Sequence, residues 1–340
     1  MILPFFASGL WAARASRKRN SRLRQRFSKV SAAPWGKTEV RVVLDRVLTL
    51  FGRPGREILP PASLPLQQAA PVGASPGPAL PESRLWPANR LAVAEGLWGE
   101  GFLFPGGETE ILRLATPMGL SASTSLLVVG TGSGGPPRAI AKHLAGWVSG
   151  FEADPALVSR GAALCASGGL GRRVGVEWWD PAAPAFRKRH YHHGLALEPL
   201  RDSDPEAFLT AFAGALKPSG QMVLVETVAD SGSDTGDAHF LGWMALDGRL
   251  RPPLTEAAVT GILLRLGLDV RVTENISDRH VSQTLDGWCG AVTALRNKRP
   301  DPRRAAPLVA EAELWLRRLG LIRDGKLRLV RWSGFKSGAG

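Results

Sequence analysis

LLVVGTGSGGPPRAIAKHLAG, Leu126 to Gly146, is the stretch whose reading decides the fold. An apolar run, Leu126 to Gly130, has the length and composition of a buried strand. A glycine turn follows, and a helical pattern over Arg138–Leu144 stops before Gly146. Gly130, Gly132 and Gly135 spell G-x-G-x-x-G, with Gly134 as a fourth glycine. The motif is weak alone, but here it sits between a strand and a helix, as its mechanism requires. Glycine permits positive φ and lets a ligand approach the backbone.

Strands and helices alternate outward from this turn. WVSGFE (147–152) reads as the second strand and PALVSRGAALCASGG (155–169) as its helix. VGVEWWD (174–180) and YHHGLAL (191–197) read as the third and fourth strands. In DPEAFLTAFAGAL, Asp204 is an N-cap and Pro205 occupies the first helical position. QMVLVETV follows the turn KPSG as strand five, and TEAAVTGILLRLG is a helix. LDVRVTENI is a strand, Val281–Asn297 and Arg303–Leu319 read as helices, and KLRLVRWSGF closes the body as the seventh strand. Repeated β–α units predict an α/β, doubly wound, mostly parallel sheet covered on both faces. Its ligand belongs beyond the carboxyl ends of the strands, at the switch point.

Two ligand classes suit a glycine turn of this kind: a dinucleotide and S-adenosylmethionine. Pro136 and Pro137 follow the turn, and each lacks the N–H that a pyrophosphate needs at a helix N-terminus. That favours S-adenosylmethionine, which carries no phosphate. Glu152 closes strand two, 22 positions after Gly130, where a carboxylate accepts from ribose hydroxyls. Both ligands have a ribose, so Glu152 does not choose between them. Asp180 closes strand three and is a candidate partner for the adenine amino group. Trp178 and Trp179 point to opposite faces there; core packing is the leading role for each, with one of them placed near the base as the other reading.

Taken in order, VVGTGSGG, GFEADP, VEWWDP and LKPSGQMVLVE resemble the motifs of class I S-adenosylmethionine-dependent methyltransferases. Upstream, AEGLWGEGFLFPGGETEILRL is similar to the lid segment of small-molecule methyltransferases of the phosphoethanolamine and sarcosine type. The resemblance spans Glu95 to Lys336. It implies the Rossmann-like methyltransferase fold of seven strands, the last antiparallel, and S-adenosylmethionine as cofactor. By resemblance, Leu103 and Phe104 contact the cofactor, and Gly106–Gly107 form a turn. Gly130, Thr131, Gly132 and Gly134 belong to the glycine turn, with the first three lining the methionine part. Glu152 and Ala153 hold the ribose, Asp180 and Pro181 the adenine edge, and Ala196 and Leu197 face the cofactor near the acceptor. There are departures. Val128 stands where an acid is common, Tyr191–His192 where Phe-Asp is usual, and Ala94 where the phosphoethanolamine group has a tyrosine. That group's aspartate and histidine after strand four are matched by Glu198 and Asp202, so the tyrosine–histidine latch is absent and phosphoethanolamine is a doubtful substrate.

For methyl transfer the protein supplies orientation and exclusion of water. Glu198 is the first candidate to take the acceptor's proton, with His192 and His193 next. His190, His192 and His193 do not complete a metal-ligand pattern, and no metal is expected. ALEPLRDSD carries neither the Asp/Asn-Pro-Pro-aromatic run of base-amino methylation nor a Pro-Cys nucleophile. Nucleic acid is therefore disfavoured, and a small-molecule N or O acceptor is expected. The competing readings are a nicotinamide-dependent oxidoreductase, disfavoured by the prolines and the lack of a Tyr-x-x-x-Lys pair, and a catalytically silent binding module.

Charge divides the chain. Residues 1–56 hold thirteen Lys and Arg against Glu39 and Asp45, so +11 of the net +13 lies there. Residues 1–59 read as a basic arm with a short amphipathic helix at Thr38–Gly52, residues 60–84 as a Pro/Ala/Gly-rich linker, and residues 85–336 as the methyltransferase domain with its lid over 85–120. The arm suits a solvated tail, sequence upstream of the true start codon, or association with nucleic acid or an anionic membrane surface. Its charges follow the apolar run, which is the wrong order for a secretory signal. No transmembrane segment is expected. Cys165 and Cys289 form neither a disulfide framework nor a zinc pattern, which points to a reducing, cytoplasmic compartment. The sequence carries no signal for oligomeric state.

Overall fold

A computed structural model describes Ser83 and residues 85–338, apart from 145 and 298–301. The basic arm, its expected helix at 38–52 and nearly all of the linker lie outside the described residues. Two helices come first, α1 (Ala88–Trp98) and α2 (Gly107–Ala115). β1 (Ser125–Val129), α3 (Gly135–Leu144), β2 (Trp147–Glu152), α4 (Pro155–Ser167), β3 (Val174–Trp178) and β4 (Tyr191–Leu197) follow. Then come α5 (Pro205–Ala215), β5 (Leu216–Ala229), α6 (Ala238–Asp247), α7 (Glu256–Arg265), β6 (Leu268–Asn275), α8 (Ser277–Asn297), α9 (Pro302–Arg323) and β7 (Leu327–Lys336).

The seven strands form one sheet in the order β3-β2-β1-β4-β5-β7-β6. β1 to β5 pair in parallel, and β7 runs antiparallel to both β5 and β6. The strand order reverses between β1 and β4, which puts the ligand crevice at their carboxyl ends. Leu126–Val129 are fully buried, as central parallel strands require. Phe208 and Phe212 of α5 and Val259 and Leu263 of α7 pack with Leu224 and Trp332 of the sheet. Phe240 and Trp243 of α6 pack with Leu314 and Leu321 of α9 in a separate cluster.

Local chemistry sets the helix starts. The carboxylate of Asp154 accepts from Ala156 N–H and Leu157 N–H ahead of α4, and that of Asp204 accepts from Ala207 N–H ahead of α5. α3 begins at Gly135, three residues before the expected start, because both prolines fit its first turn, where their missing N–H groups have no intrahelical partner to lose. KPSG is absorbed into β5. Its Ser219 takes φ +62°, and the β4–β5 pairing shifts between Tyr191 and His193. α6 is an element the sequence pattern does not announce. Among the described residues no helix is long and apolar enough to cross a membrane.

Candidate active site

The crevice opens where the chain leaves β1. Gly130 has φ +79°, and a Cβ built on it would lie 2.2 Å from the carbonyl oxygen of Leu197. β1 and β4 therefore approach closely only because this position is glycine. Gly135 serves a second approach: its N–H donates to Gly101 O at 2.9 Å, docking the lid loop on the turn. Gly101, Leu103 and Phe104 belong to that loop, and Leu103 and Phe104 line the crevice with Gly130, Thr131 and Gly132. Gly134 faces elsewhere. A Cβ on it would meet Gly161 of α4 at 3.0 Å, so it is a helix-packing glycine.

Glu152 stands at the end of β2, 5 % exposed. Its Oε2 accepts from Gly132 N–H at 2.7 Å and its Oε1 from Ala153 N–H at 2.9 Å. Oε1 also accepts from Asp154 N–H at 3.4 Å, so only Oε2 keeps a lone pair for a further donor. Burial pushes this carboxyl up to about 7, against the charge of Arg201 and the Gly132 N–H. Ala153 also lines the crevice, as does Leu197 at the end of β4. Ala196 does not: it is fully buried in the core.

Asp180 departs from its expected place. Its carboxylate accepts from Ala182 N–H at 2.9 Å in the loop after β3, and it does not line the crevice. Pro181 lines a neighbouring cavity instead. Trp179, one residue earlier, is the crevice residue, buried against Phe186 and Phe208. Trp178 is half exposed rather than in the core.

The histidines are at the wrong end of β4. His192 Nδ1 accepts from Ser125 N–H at 3.0 Å, and its Nε2 lies 3.0 Å from Lys217 Nζ. His193 pairs with Leu126, near the start of β1. Leu197 is four positions past His193 and five past His192, about 13 and 16 Å away at ~3.3 Å per residue. Burial depresses both imidazoles, with Lys217 adding to the effect at His192 and His192 at His193. Neither reaches the crevice.

Glu198 does line it, in the left-handed region with φ +46°. It is locked in a buried network. Arg318 of α9 donates to both its oxygens and to Thr227 Oγ1, and Thr227 donates to it. Burial alone would raise the Glu198 pKa, but the charge and hydrogen bonds of Arg318, with Arg249, hold it far below the ordinary carboxylate range. Arg249 also binds Asp247 at 2.7 Å and Glu226 at 3.3 Å. Glu226 accepts from Leu200 N–H and Thr227 N–H, and burial pushes it up to about 7 although Arg249 opposes this. Glu226, Thr227 and Arg249 face a second cavity of about 710 Å³, and Arg201 and Asp202 line both it and the crevice. Among the described residues no three His, Cys, Asp or Glu side chains converge as metal ligands.

Sequence reasoning missed Trp86, Leu157, Pro199 and Arg201 in the crevice and Glu226 beside it, and it left Trp179 undecided between core and base. The free space left in the crevice is about 70 Å³, well short of the roughly 300–1,000 Å³ of small-molecule pockets. A nucleoside therefore enters only if the crevice widens.

A parallel sheet with one antiparallel strand, a glycine turn after β1 and a buried acid after β2 now stand together. The chain has the Rossmann-like methyltransferase fold. It superposes on Haemonchus contortus phosphoethanolamine N-methyltransferase 2, solved with phosphomonomethylethanolamine and S-adenosylhomocysteine, with a TM-score of 0.66 and 17% identity over 75% of this chain and 59% of that one. Thus the chain spans less than two thirds of that enzyme's length. A protein described as a sarcosine dimethylglycine methyltransferase from Galdieria sulphuraria matches with a TM-score of 0.61 and 16% identity over 73% of this chain and 98% of that one. The [4+2]-cyclase SpnF matches with a TM-score of 0.58 and 16% identity over 77% and 98% of the two chains. No family model matches the sequence, and no curated protein matches it.

Proposed function

We propose that this methyltransferase-fold chain binds S-adenosylmethionine in the crevice and transfers its methyl group to a small-molecule nitrogen or oxygen acceptor. One observation carries the reading: Glu152 is buried one strand from the glycine turn, bridges Gly132 N–H and the Ala153 and Asp154 N–H groups, and retains a lone pair on Oε2 for a ribose hydroxyl. The turn's own glycines and Leu197 leave backbone exposed to the methionine part, and Leu103 and Phe104 cover it. When bound, the cofactor supplies a sulfonium-activated methyl group. This chain's residues orient it, exclude water and receive the acceptor's proton.

Glu226 is a second candidate proton acceptor beside Glu198. A base suited to neutral pH has a pKa near 7, which matches Glu226, whereas Glu198 is held anionic by Arg318 and binds protons weakly. Glu226 also faces the second cavity, which adjoins the crevice through Arg201 and Asp202. The two unpaired thiols, Cys165 and Cys289, support a reducing compartment such as the cytoplasm. Calorimetry with S-adenosylhomocysteine and with NAD tests the reading. Binding of the first and not the second is expected; the reverse overturns it.

A further inference from the structure

Two tryptophans that line the crevice carry buried indole N–H groups with no hydrogen-bond partner among the described residues: Trp86 Nε1 and Trp179 Nε1. The two residues are 7 % and 4 % exposed. Indole is a donor only, and a buried Trp N–H ordinarily finds an acceptor. Leaving two such donors unmatched around one crevice is costly enough to call for an explanation.

Their positions define which part of a ligand they meet. The glycine turn, Glu152 and Trp179 stand at the ends of β1, β2 and β3, in that spatial order across the sheet. A nucleoside whose ribose is held at β2 and whose tail lies over β1 directs its base toward β3. Trp179 N–H of the backbone donates to Glu152 O at 3.2 Å, fixing the side chain beside the ribose position. Trp86 is brought to the same side by a strap. Its backbone N–H donates to Ser83 Oγ at 2.7 Å, and that hydroxyl donates to Asp154, two residues after Glu152. From the other side Arg90 stacks on the Trp86 ring, 4.4 Å from its centroid, and anchors to Glu311 at 2.9 Å and to Leu85 O. Meanwhile Asp180, whose Oδ1 accepts from Ala182 N–H, does not line the crevice.

We infer that Trp86 and Trp179 recognise the purine of the cofactor by donating their indole N–H groups to its ring nitrogens, in place of a carboxylate that accepts from the 6-amino group. The inference rests on the crevice being an adenosyl site. Adenine offers unprotonated ring nitrogens as acceptors, and a site built from donors reads these and not the amino group. The consequence is a chain tolerant of bases that lack the 6-amino substituent.

Calorimetry on the full chain tests this with three probes: S-adenosylhomocysteine, adenosine, and purine riboside, which lacks the amino group. Trp86→Phe and Trp179→Phe keep a ring and remove the donor. Each is expected to weaken S-adenosylhomocysteine and adenosine by the same factor, about 2- to 12-fold, as loss of one hydrogen bond predicts. Asp180→Ala is expected to bind both within about twofold of the parent. The unmodified protein is expected to bind purine riboside within about threefold of adenosine, an arm independent of whether any variant folds. Phe variants that bind like the parent, or purine riboside bound more than about tenfold worse than adenosine, overturn the inference. A loss at only one tryptophan removes the other from the assignment. If the unmodified protein binds neither S-adenosylhomocysteine nor adenosine, the proposed function itself fails.

Discussion

Glu152 carries the most chemistry of any single residue in the crevice, and its protonation links ligand affinity to pH. Burial raises its pKa from 4.5 to about 7, with Asp202 adding and Arg201 opposing. Below pH 7 the free protein holds this carboxyl protonated. In the proposed site a ribose hydroxyl donates to the carboxylate, so binding favours the ionised form and expels a proton. Affinity for S-adenosylhomocysteine is therefore expected to rise with pH, and to be about tenfold weaker at pH 6 than at pH 8, one pKa unit being a factor of ten. Glu152→Gln should bind more weakly and flatten that profile. Titrations across pH 5.5–8.5 check it, and a flat profile for the unmodified protein removes Glu152 from the ribose. This residue was legible because its role follows from its distance past the glycine turn. Trp86 was not. Its place depends on Ser83 with Asp154 and Arg90 with Glu311, pairs 71 and 221 residues apart in sequence. No local pattern encodes contacts of that range.

At the scale of elements, the β1 turn was legible as a motif, while the division of labour among its glycines was not. Gly130 and Gly132 line the crevice, while Gly134 admits α4 and Gly135 admits the lid loop. A sequence shows that small residues recur but not which neighbour approaches each. The seven strands were readable because buried parallel strands are short apolar runs punctuated by turns. α6 was not, since Phe240, Leu241, Trp243, Met244 and Leu246 crowd together without a clean polar face. Gly130→Ala isolates the cost of the closest approach. It combines a positive φ with a Cβ 2.2 Å from Leu197 O, and each effect costs about 1–3 kcal/mol. We expect about 3 kcal/mol less stability in urea unfolding, with loss of S-adenosylhomocysteine binding. A variant as stable as the parent would show that β1 and β4 need not approach so closely.

Across the whole molecule, the β4–β5 side of the crevice is held by charges that come from distant parts of the chain. Glu198 lies just past β4, Glu226 and Thr227 are on β5, Asp247 and Arg249 sit at the end of α6, and Arg318 is on α9. The same fold serves proteins as different as a phosphoethanolamine N-methyltransferase and a [4+2]-cyclase, so chemistry here is decided by such side chains and not by the sheet. Arg318 is the member whose removal says most. It is 2 % exposed, stacks over Trp315 at 5.4 Å and neutralises Glu198. Arg318→Leu leaves a half-buried carboxylate with only Thr227 and the more distant Arg249, and breaking a fully buried pair from one side costs about 3–5 kcal/mol, an upper bound here. The sign of the pH dependence follows from the lowered pKa. Glu198 is depressed below its unfolded value of 4.5, so its contribution is present above pH 4.5 and lost as pH falls from there. The stability gap between parent and Arg318→Leu should therefore be widest above about pH 5 and narrow steadily below 4.5. Adding Glu198→Gln to the variant should recover part of the gap at neutral pH, because the uncompensated charge is then gone. Urea unfolding of the three proteins from pH 3.5 to 8 reads both effects, and a gap independent of pH would mean that Arg318 acts through its packing on Trp315 and not through its charge.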